Sequence, residues 1–345
     1  MNPFTFTQAS DVDAALARLA QPGVRPIAGG TNLLDLMKSG VPPDGVMHPG
    51  ELVDINGLGL DQVEEADGGG LRLGALARNA DTAYHPKVAE RYPLLRAAIL
   101  AGASPQLRNM ATNGGNLLQR TRCYYFYDVG TPCNKREPGS GCPAKDGLNR
   151  LHAILGTSEH CIATHPSDMC VALRALDAVV HVRSQGGARE IPFAGFHRLP
   201  GDRPDLDNTL EAGELVTHIA LPDAGRFAAH STYLKVRERL SYAFALVSVA
   251  AALDLDGGKI RAARIALGGV AHKPWRVEEA EASLEGKAPG PDAFGAAADI
   301  VLRGAKGYGQ NDYKLTLARN AIEQALTTAT RGTEYAKGEH RGDQQ

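Results

Sequence analysis

The chain has 345 residues, of which 43% are hydrophobic, and this composition is typical of a folded protein with about two or three domains. Its 37 basic and 39 acidic residues give a formal net charge of -2, which excludes the strongly basic surface typical of nucleic-acid-binding proteins. No run of about 18 apolar residues and no basic segment followed by an apolar one at the start are present, so we expect no spanning helix and no cleaved secretion signal. We therefore expect folding in the cytoplasm, with periplasmic export only alongside a partner that carries a signal.

The first 56 residues predict a small α/β unit. Residues 4–6 alternate apolar and polar, which favours a strand, and Ser10 with Asp13 predicts a capping box that begins a helix. The unit continues with a predicted strand at residues 25–28, a helix at 33–38 and a strand at 52–55.

The middle of the chain predicts further strands and helices. Helix 93–101 presents Leu94, Leu95, Ala98 and Ile99 on one apolar face, and Ser167 is predicted to cap another helix. Strands are predicted at residues 71–75, 178–182, 215–221, 233–236 and 261–267, with a hairpin turn at Gly257-Gly258. Two helices are predicted after this hairpin, from about Val277 and over 313–326, and the polar tail is predicted to be disordered over 329–345.

Two glycine-rich turns are candidate phosphate sites. Ala28-Gly29-Gly30-Thr31-Asn32 lies between a predicted strand and a predicted helix, and Thr112-Asn113-Gly114-Gly115-Asn116 has the same chemistry. Glycine lets backbone N–H groups approach a pyrophosphate closely, although either turn alone could be an ordinary strand–helix connection. The G-x-G-x-x-G spacing of the Rossmann dinucleotide site is missing. Asp168, near a predicted helix start, could accept a hydrogen bond from a ribose hydroxyl or cap the helix.

Four cysteines, Cys123, Cys133, Cys142 and Cys161, lie in a Gly-, Pro- and Lys/Arg-containing segment. They contain no Cys-x-x-Cys pair, which disfavours a zinc finger or ribbon. Such a segment buries little apolar area, so an organising ligand is expected, and four thiolates suit a [4Fe–4S] cluster shielded by the aromatic residues 124–127. The alternative is four unrelated reduced thiols. The fifth cysteine, Cys170, lies in an apolar stripe and is predicted to be a core residue.

Residues 25–34 (the first glycine loop) and residues 106–116 (the second glycine loop) resemble the two FAD loops of the flavoprotein subunit of molybdenum hydroxylases, the xanthine dehydrogenase family. His165-Pro166-Ser167-Asp168-Met169 resembles that family's Ser-Asp segment. The similarity covers nearly the whole chain, to about Leu326. It implies an α+β fold, with a p-cresol methylhydroxylase-type FAD-binding domain over residues 1–224 (α/β subdomains at about 1–56 and 57–224) and a small α+β carbon monoxide dehydrogenase flavoprotein C-terminal-like domain over 225–328.

The resemblance also implies the cofactor-binding residues. Two of them, Val216 and Lys235, fall where the family places residues near the flavin ring, although Lys235 could instead lie on a solvated edge strand. The implied FAD-binding set is Arg25, Pro26, Ile27, Ala28, Gly29, Gly30, Thr31, Asn32, Leu33, Ala111, Thr112, Gly114, Gly115, Asn116, Gln119, Asp168, Val216 and Lys235.

The segment 119–164 (the cysteine insertion) is similar to that of a subset of the family. Most flavoprotein subunits of the family lack it, whereas those of periplasmic-type aldehyde oxidoreductases and 4-hydroxybenzoyl-CoA reductases carry a [4Fe–4S] cluster there, and residues 149–156 resemble that subset. The resemblance therefore implies that Cys123, Cys133, Cys142 and Cys161 are the cluster ligands.

The favoured function is a FAD- and [4Fe–4S]-carrying electron-transfer subunit of a molybdenum-containing aldehyde oxidoreductase, with no catalytic acid or base of its own. Its implied partners are a large molybdenum-cofactor subunit, a small [2Fe–2S] subunit and an external electron acceptor. Within the family, the alternative is a subunit of a 4-hydroxybenzoyl-CoA reductase-like enzyme. Two other classes remain: a structural cluster-binding assembly subunit without flavin turnover, and a self-sufficient flavin oxidase or reductase.

Overall fold

The computed structural model describes residues 1–42 and 48–333. Within these residues the chain forms three β-sheets with helices packed on them, so the expectation of a mixed α+β fold is confirmed. None of the described helices is both long and apolar enough to cross a membrane.

The N-terminal sheet is parallel, with strand order β1-β3-β2. Its elements are β1 (Thr5–Gln8), α1 (Val12–Leu19), β2 (Val24–Ile27), α2 (Leu33–Lys38) and β3 (Glu51–Asp54). The predicted capping box at Ser10 is wrong. The cap of α1 is Asp11, whose Oδ1 accepts a hydrogen bond from the Ala14 N–H at 2.8 Å, while the Ser10 hydroxyl donates to the Asp11 carboxylate.

The second sheet is antiparallel, with order β4-β5-β8-β6-β7. Its strands are β4 (Val63–Glu65), β5 (Leu71–Gly74), β6 (Val179–Ser184), β7 (Gly187–Pro192) and β8 (Leu215–Leu221). The helices of this part of the chain are α3 (Asn79–Tyr84), α4 (Pro86–Arg91), α5 (Pro93–Ala101), α6 (Pro105–Arg108), α7 (Asn113–Leu117), α8 (Tyr124–Tyr127), α9 (Asp168–Ala175) and α10 (Phe193–Phe196). Helix α5 has the predicted bounds and buries the predicted face against α9. Ser167 caps α9 as predicted, because its hydroxyl accepts from the Cys170 N–H.

The C-terminal sheet is antiparallel, with order β11-β10-β9 and the predicted turn at Gly257-Gly258. Its elements are β9 (Ser231–Val236), β10 (Val247–Asp256), β11 (Lys259–Gly268), α11 (Glu278–Ala282), α12 (Pro291–Val301) and α13 (Tyr313–Arg331). Short 3₁₀ turns occur at Asp67–Gly69, Pro143–Lys145 and Gly225–Phe227.

Two predictions for the C-terminal part are wrong. Up to residue 333, three helices follow the hairpin rather than two, because α12 begins at Pro291 and buries Phe294 and Val301 in the core. Helix α13 continues past 326 to Arg331, because Ala329 packs in the same core, so residues 329–331 do not belong to a disordered tail. The rest of the predicted tail, residues 334–345, lies outside the described residues.

The cysteine insertion rests on the C-terminal part of the chain. The backbone N–H groups of Ile154 and Leu155 both donate to Val270 O, at 2.9 and 3.0 Å, and the Lys306 N–H donates to Ile154 O at 2.8 Å. The division at residue 224 stays a prediction, but these bonds show that the segments on either side of it are packed together.

Candidate cofactor sites

A cavity of about 740 Å³ lies where the two glycine loops meet the C-terminal sheet. Both loops line it, together with the start of α9 and the segment from Lys235 to Leu246. A volume of this size falls within the range of small-molecule and cofactor sites. Four separate stretches of sequence therefore form one cleft.

The two glycine loops touch each other directly. A Cβ atom built on Gly29 would lie 2.0 Å from the Met110 carbonyl oxygen, which is far inside van der Waals contact. The same carbonyl accepts a hydrogen bond from Arg78 Nη1 at 2.6 Å. Gly29 is therefore required by the contact between the loops as well as by any ligand that approaches its backbone.

Buried hydrogen bonds of Asn113 and Gly114 anchor the second glycine loop to its neighbours. The Asn113 side chain donates to Gly74 O and to Thr82 Oγ1, at 3.1 and 2.9 Å, and it is completely buried. The Gly114 N–H donates to Ala75 O at 2.7 Å. Asn113 and Gly114 thus hold the loop onto the second sheet, which leaves Gly115 and Asn116 to line the cavity.

The start of α9 is joined to the second loop and to the C-terminal sheet. The Ser167 hydroxyl donates to Asn116 Oδ1 at 2.5 Å. Asp168 accepts from the Tyr233 hydroxyl at one carboxylate oxygen and from Lys235 Nζ at the other, both at 2.8 Å. Burial, followed by the Asp168 charge, raises the pKa of Tyr233 well above its ordinary value, so this hydroxyl remains a donor.

Most of the predicted FAD-binding residues line this cavity. They are Arg25, Pro26, Ile27, Ala28, Gly29, Gly30, Thr31, Asn32, Leu33, Ala111, Thr112, Gly115, Asn116, Gln119, Asp168 and Lys235. Two predicted residues do not line it. Gly114 belongs to the second loop but packs against Ala75. Val216 is 5% exposed in the core of the second sheet, where it pairs with Val182.

One wall of the cavity was not predicted from the sequence. It is formed by the segment that follows β9, where Arg239, Tyr242 and Phe244 line the opening. Tyr242 and Phe244 are 59% and 47% exposed, and the Arg122 guanidinium lies 5.1 Å from the Phe244 ring centre. The sequence signal for this wall is the apolar and aromatic stretch 242–246, which follows Arg237 and Arg239. Periodicity alone does not distinguish such a stretch from a buried core strand.

The four predicted ligand cysteines line one small internal cavity next to the first. Cys133 and Cys161 are buried, whereas Cys123 and Cys142 are partly exposed, and all four are free thiols. The sequence places these residues in one segment, and the fold brings their side chains together. None of the four forms a disulfide.

The four sulfurs are not gathered as tightly as a single zinc ion requires. Among the described residues, the one group of three metal-binding side chains with all ligand atoms within 4.8 Å comprises His165, Cys170 and His197. A tetrahedral zinc site would hold its sulfurs about 3.8 Å apart. Within the described residues, no three of the four sulfurs therefore meet at the spacing of a single zinc ion.

Two of the ligand thiols, Cys123 and Cys161, resist ionisation when no metal is bound. Burial raises the pKa of Cys123 to about 12, and a hydrogen bond with Cys142, together with burial, raises the pKa of Cys161 to about 12. The same hydrogen bond lowers the pKa of Cys142. Thiolates at Cys123 and Cys161 would therefore need a cationic metal centre, because burial otherwise favours the neutral thiols at these two positions.

A buried charge network lies beside the cysteine cavity. Asp207 accepts from Arg120 Nε at 2.6 Å and from Lys135 Nζ at 2.5 Å, and Lys135 is 1% exposed. Burial opposes ionisation of this carboxyl, but Arg120, Lys135 and His272 together hold its pKa well below the ordinary value. Lys135 is therefore paired with Asp207 and with Pro204 O.

The predicted aromatic shield is only partly formed. Tyr125 and Phe126 line the cysteine cavity. Tyr124 is 47% exposed, and the Tyr127 hydroxyl instead donates to Asp35 on the side of the larger cavity. Cys170 is fully buried in the core, as predicted, although its sulfur lies near the His165 and His197 rings.

Comparison with known families decides the kind of protein to which these cavities belong. Residues 2–224 match the model for the FAD binding domain in molybdopterin dehydrogenase, and residues 231–329 match the CO dehydrogenase flavoprotein C-terminal domain. The chain belongs to the FAD-binding flavoproteins of the molybdopterin dehydrogenases. The family resemblance of the sequence is thereby confirmed, and the chain is an oxidoreductase subunit that carries the domain for FAD.

Two curated relatives of this flavoprotein family are named for aldehyde chemistry. The chain is 50% identical to the aldehyde oxidoreductase FAD-binding subunit PaoB of Escherichia coli (strain K12) over 331 residues, which cover 95% of this chain and 99% of the relative. It is 28% identical to the glyceraldehyde dehydrogenase medium chain of Sulfolobus acidocaldarius, over 82% of each chain. These matches support FAD, and by themselves they do not support a [4Fe–4S] cluster.

Solved structures of two other enzymes share the fold. The carbon monoxide dehydrogenase of Hydrogenophaga pseudoflava superposes with a TM-score of 0.73 at 26% identity, over 96% of this chain and 98% of that chain. Quinoline 2-oxidoreductase from Pseudomonas putida 86 gives a TM-score of 0.71 at 25% identity, with the same coverage. The fold of this flavoprotein therefore extends over almost the whole chain.

Proposed function

We propose that this chain is the FAD- and [4Fe–4S]-carrying electron-transfer subunit of a molybdenum-containing aldehyde oxidoreductase. Its partners are a large molybdenum-cofactor subunit, in which the aldehyde is oxidised, and a small [2Fe–2S] subunit, which delivers the electrons. Bound FAD supplies two-electron storage and release to an external acceptor. The chain itself supplies binding, orientation and the electrostatic surroundings.

One observation supports this proposal above the others. The larger cavity and the four-cysteine cavity are adjacent, and they are joined by consecutive residues, since Arg122 lines the first and Cys123 lines the second. A redox cofactor in each would be separated by a short stretch of protein. A purely structural cluster would gain nothing from this adjacency, which argues against an assembly subunit without flavin turnover.

The residues proposed to hold FAD divide into three groups. The first glycine loop and residues 111–116 present backbone N–H groups and small side chains to a diphosphate. Asp168 and Lys235 form a fixed polar pair on the wall between α9 and β9. Gly114 contributes by supporting the second loop, and Val216 contributes through the core alone.

The aldehyde as substrate class comes from two relatives whose names contain it, PaoB and the glyceraldehyde dehydrogenase medium chain. Relatives from carbon monoxide dehydrogenases are called medium chains, which supports assembly with a larger and a smaller subunit. No residue of this chain is proposed as a catalytic acid or base.

The test is purification of the chain with its native partners, followed by FAD, iron and molybdenum analysis. We expect one FAD and about four irons in this chain beyond the iron of the small subunit. An aldehyde should bleach the flavin absorbance of the complex and leave that of the isolated chain unchanged. Bleaching of the isolated chain would instead identify a self-sufficient flavin enzyme, and reduction of an aromatic CoA thioester would favour the reductase alternative.

A further inference from the structure

His152 makes a close contact with one of the four cysteines. Its Nε2 lies 3.0 Å from Cys123 Sγ, and the imidazole is 2% exposed. The other ring nitrogen, Nδ1, is buried and has no hydrogen-bond partner among the described residues. In the part of the chain that the structure describes, the ring therefore has a single polar contact, and that contact is a sulfur.

The chemistry of a ligand cysteine determines which atom donates. A cysteine that binds iron does so as a thiolate and carries no proton. An attractive contact with that sulfur therefore requires the proton on Nε2 of a neutral imidazole, which leaves Nδ1 bare. In this tautomer Nδ1 is an acceptor, and no donor reaches it in the described part of the chain.

The backbone of His152 is held in place by the C-terminal part of the chain. Its carbonyl oxygen accepts from Lys314 Nζ at 3.0 Å and from Asn311 Nδ2 at 3.3 Å. Its N–H donates to Asn149 O at 2.9 Å. Lys314 is completely buried and also donates to Gly269 O at 2.7 Å, so the loop that carries His152 is tied to α13 and to the end of β11.

The contact lies on the side of the cysteine cavity that faces the larger cavity. His152 and Cys123 both line the cysteine cavity and also a second small cavity next to it. That second cavity shares Arg122, Ser167 and Phe244 with the larger one. Of the four cysteines, Cys123 alone lines this intermediate space.

We infer that His152 is a positioning residue that donates its Nε2–H to the Cys123 thiolate and raises the reduction potential of the cluster at its flavin-facing ligand. This inference rests on the proposed [4Fe–4S] cluster. A hydrogen bond to a ligand sulfur withdraws electron density and favours the more negatively charged reduced cluster, which raises the potential. The loop that carries His152, which Lys314 of α13 holds in place, thereby influences how electrons distribute between the cluster and the flavin.

The experiment uses the full complex and the pair His152→Gln and His152→Leu. The Gln Nε2–H can replace the imidazole donor, whereas Leu has a similar bulk and no donor. The potential of the cluster is measured by redox titration followed by electron paramagnetic resonance. At a fixed potential we expect His152→Leu to lower the ratio of reduced to oxidised cluster about tenfold, which is 59 mV for a one-electron couple. His152→Gln should stay close to the wild type.

The outcomes separate this inference from the proposed function. If wild-type iron analysis shows no cluster, the proposed function fails first. If the cluster is present in all three proteins and the potentials are equal, the role of His152 fails alone.

A measurement on the wild type guards against a variant that loses its cluster or fails to fold. In a complex with ¹⁵N-labelled histidine, the reduced cluster should show a weak nitrogen hyperfine coupling transmitted through the N–H···S contact. Absence of this coupling would overturn the inference, and so would a coupling strong enough for a direct iron–nitrogen bond.

Discussion

Lys235 Nζ lies 2.8 Å from Asp168 Oδ2, and this ion pair joins helix α9 to strand β9 across the wall of the larger cavity. Both side chains are buried, at 3% and 7% exposure. The carboxylate is completed by the Tyr233 hydroxyl, and Lys235 also donates to Ala101 O at 2.9 Å. The pair thus has the full set of partners that a buried ion pair requires.

Removing one member of this ion pair should destabilise the folded chain. We expect Lys235→Met to lower the free energy of unfolding by about 3–5 kcal/mol, because it leaves the Asp168 carboxylate buried without its cation. FAD retention should fall as well. Urea unfolding and the ratio of FAD to protein measure the two effects. The double variant Asp168→Asn/Lys235→Met is the control and should recover much of the loss. Equal stability of the single and double variants would show that the pair is not coupled.

The contact between the glycine loops gives a second prediction. Gly29→Ala places a methyl group 2.0 Å from Met110 O, so the loops must separate. Overpacking of this kind costs about 2 kcal/mol, which corresponds to roughly 30-fold weaker FAD binding. Gly50→Ala is the matched control, since no atom lies within 4 Å of its added methyl group. Equilibrium dialysis with FAD distinguishes them, and equal affinities would contradict the two-loop site.

The cysteine assignment predicts the iron content. Cys142→Ser should remove roughly four irons per chain while much of the FAD remains, because the flavin cavity is formed by other segments. The Cys170→Ala variant should retain the full iron content of the chain, since Cys170 is buried in the core and does not line the cysteine cavity. Iron and flavin assays on both variants provide the comparison. Iron loss from the Cys170 variant alone would reverse the assignment.

A buried histidine predicts a pH dependence of stability. Burial lowers the pKa of His197 from 6.5 to about 4, while its Nε2 donates to Leu117 O. As the pH falls, the imidazole is protonated in the unfolded chain before it is protonated in the folded chain. The stability that neutral His197 contributes is therefore complete above pH 6.5 and is lost as the pH falls toward 4. His197→Gln keeps a donor without the titration. This variant should reduce the slope of the free energy of unfolding against pH by up to about 1.4 kcal/mol per pH unit in this window.

Urea unfolding of the FAD-free chain at several pH values measures that slope. Other buried histidines, including His165, contribute with the same sign, so the slope should shrink and not vanish. An unchanged slope in the His197 variant would contradict the assignment of a neutral, buried imidazole.

Local features of the fold were predictable because they depend on near neighbours in the chain. Helix α5 was predicted with its bounds because its apolar residues repeat at helical spacing between Pro93 and Gly102. The residues of both glycine loops, and the set of four cysteines, could be read directly from the sequence. Helix α12 was missed although Phe294, Ala297, Ala298 and Val301 repeat at helical spacing and Pro291 marks its start.

The sequence by itself determined the two loops, the cysteine set and the family. The tertiary structure alone decided which side chains meet. Asp168 and Lys235 are 67 residues apart, and Cys123 and His152 are 29 apart, so no local periodicity links either pair. It also placed Val216 in the core and assigned Lys135 to Asp207. Steric preference and hydrophobic period act over a few residues, whereas burial and charge pairing are satisfied only when distant segments pack together.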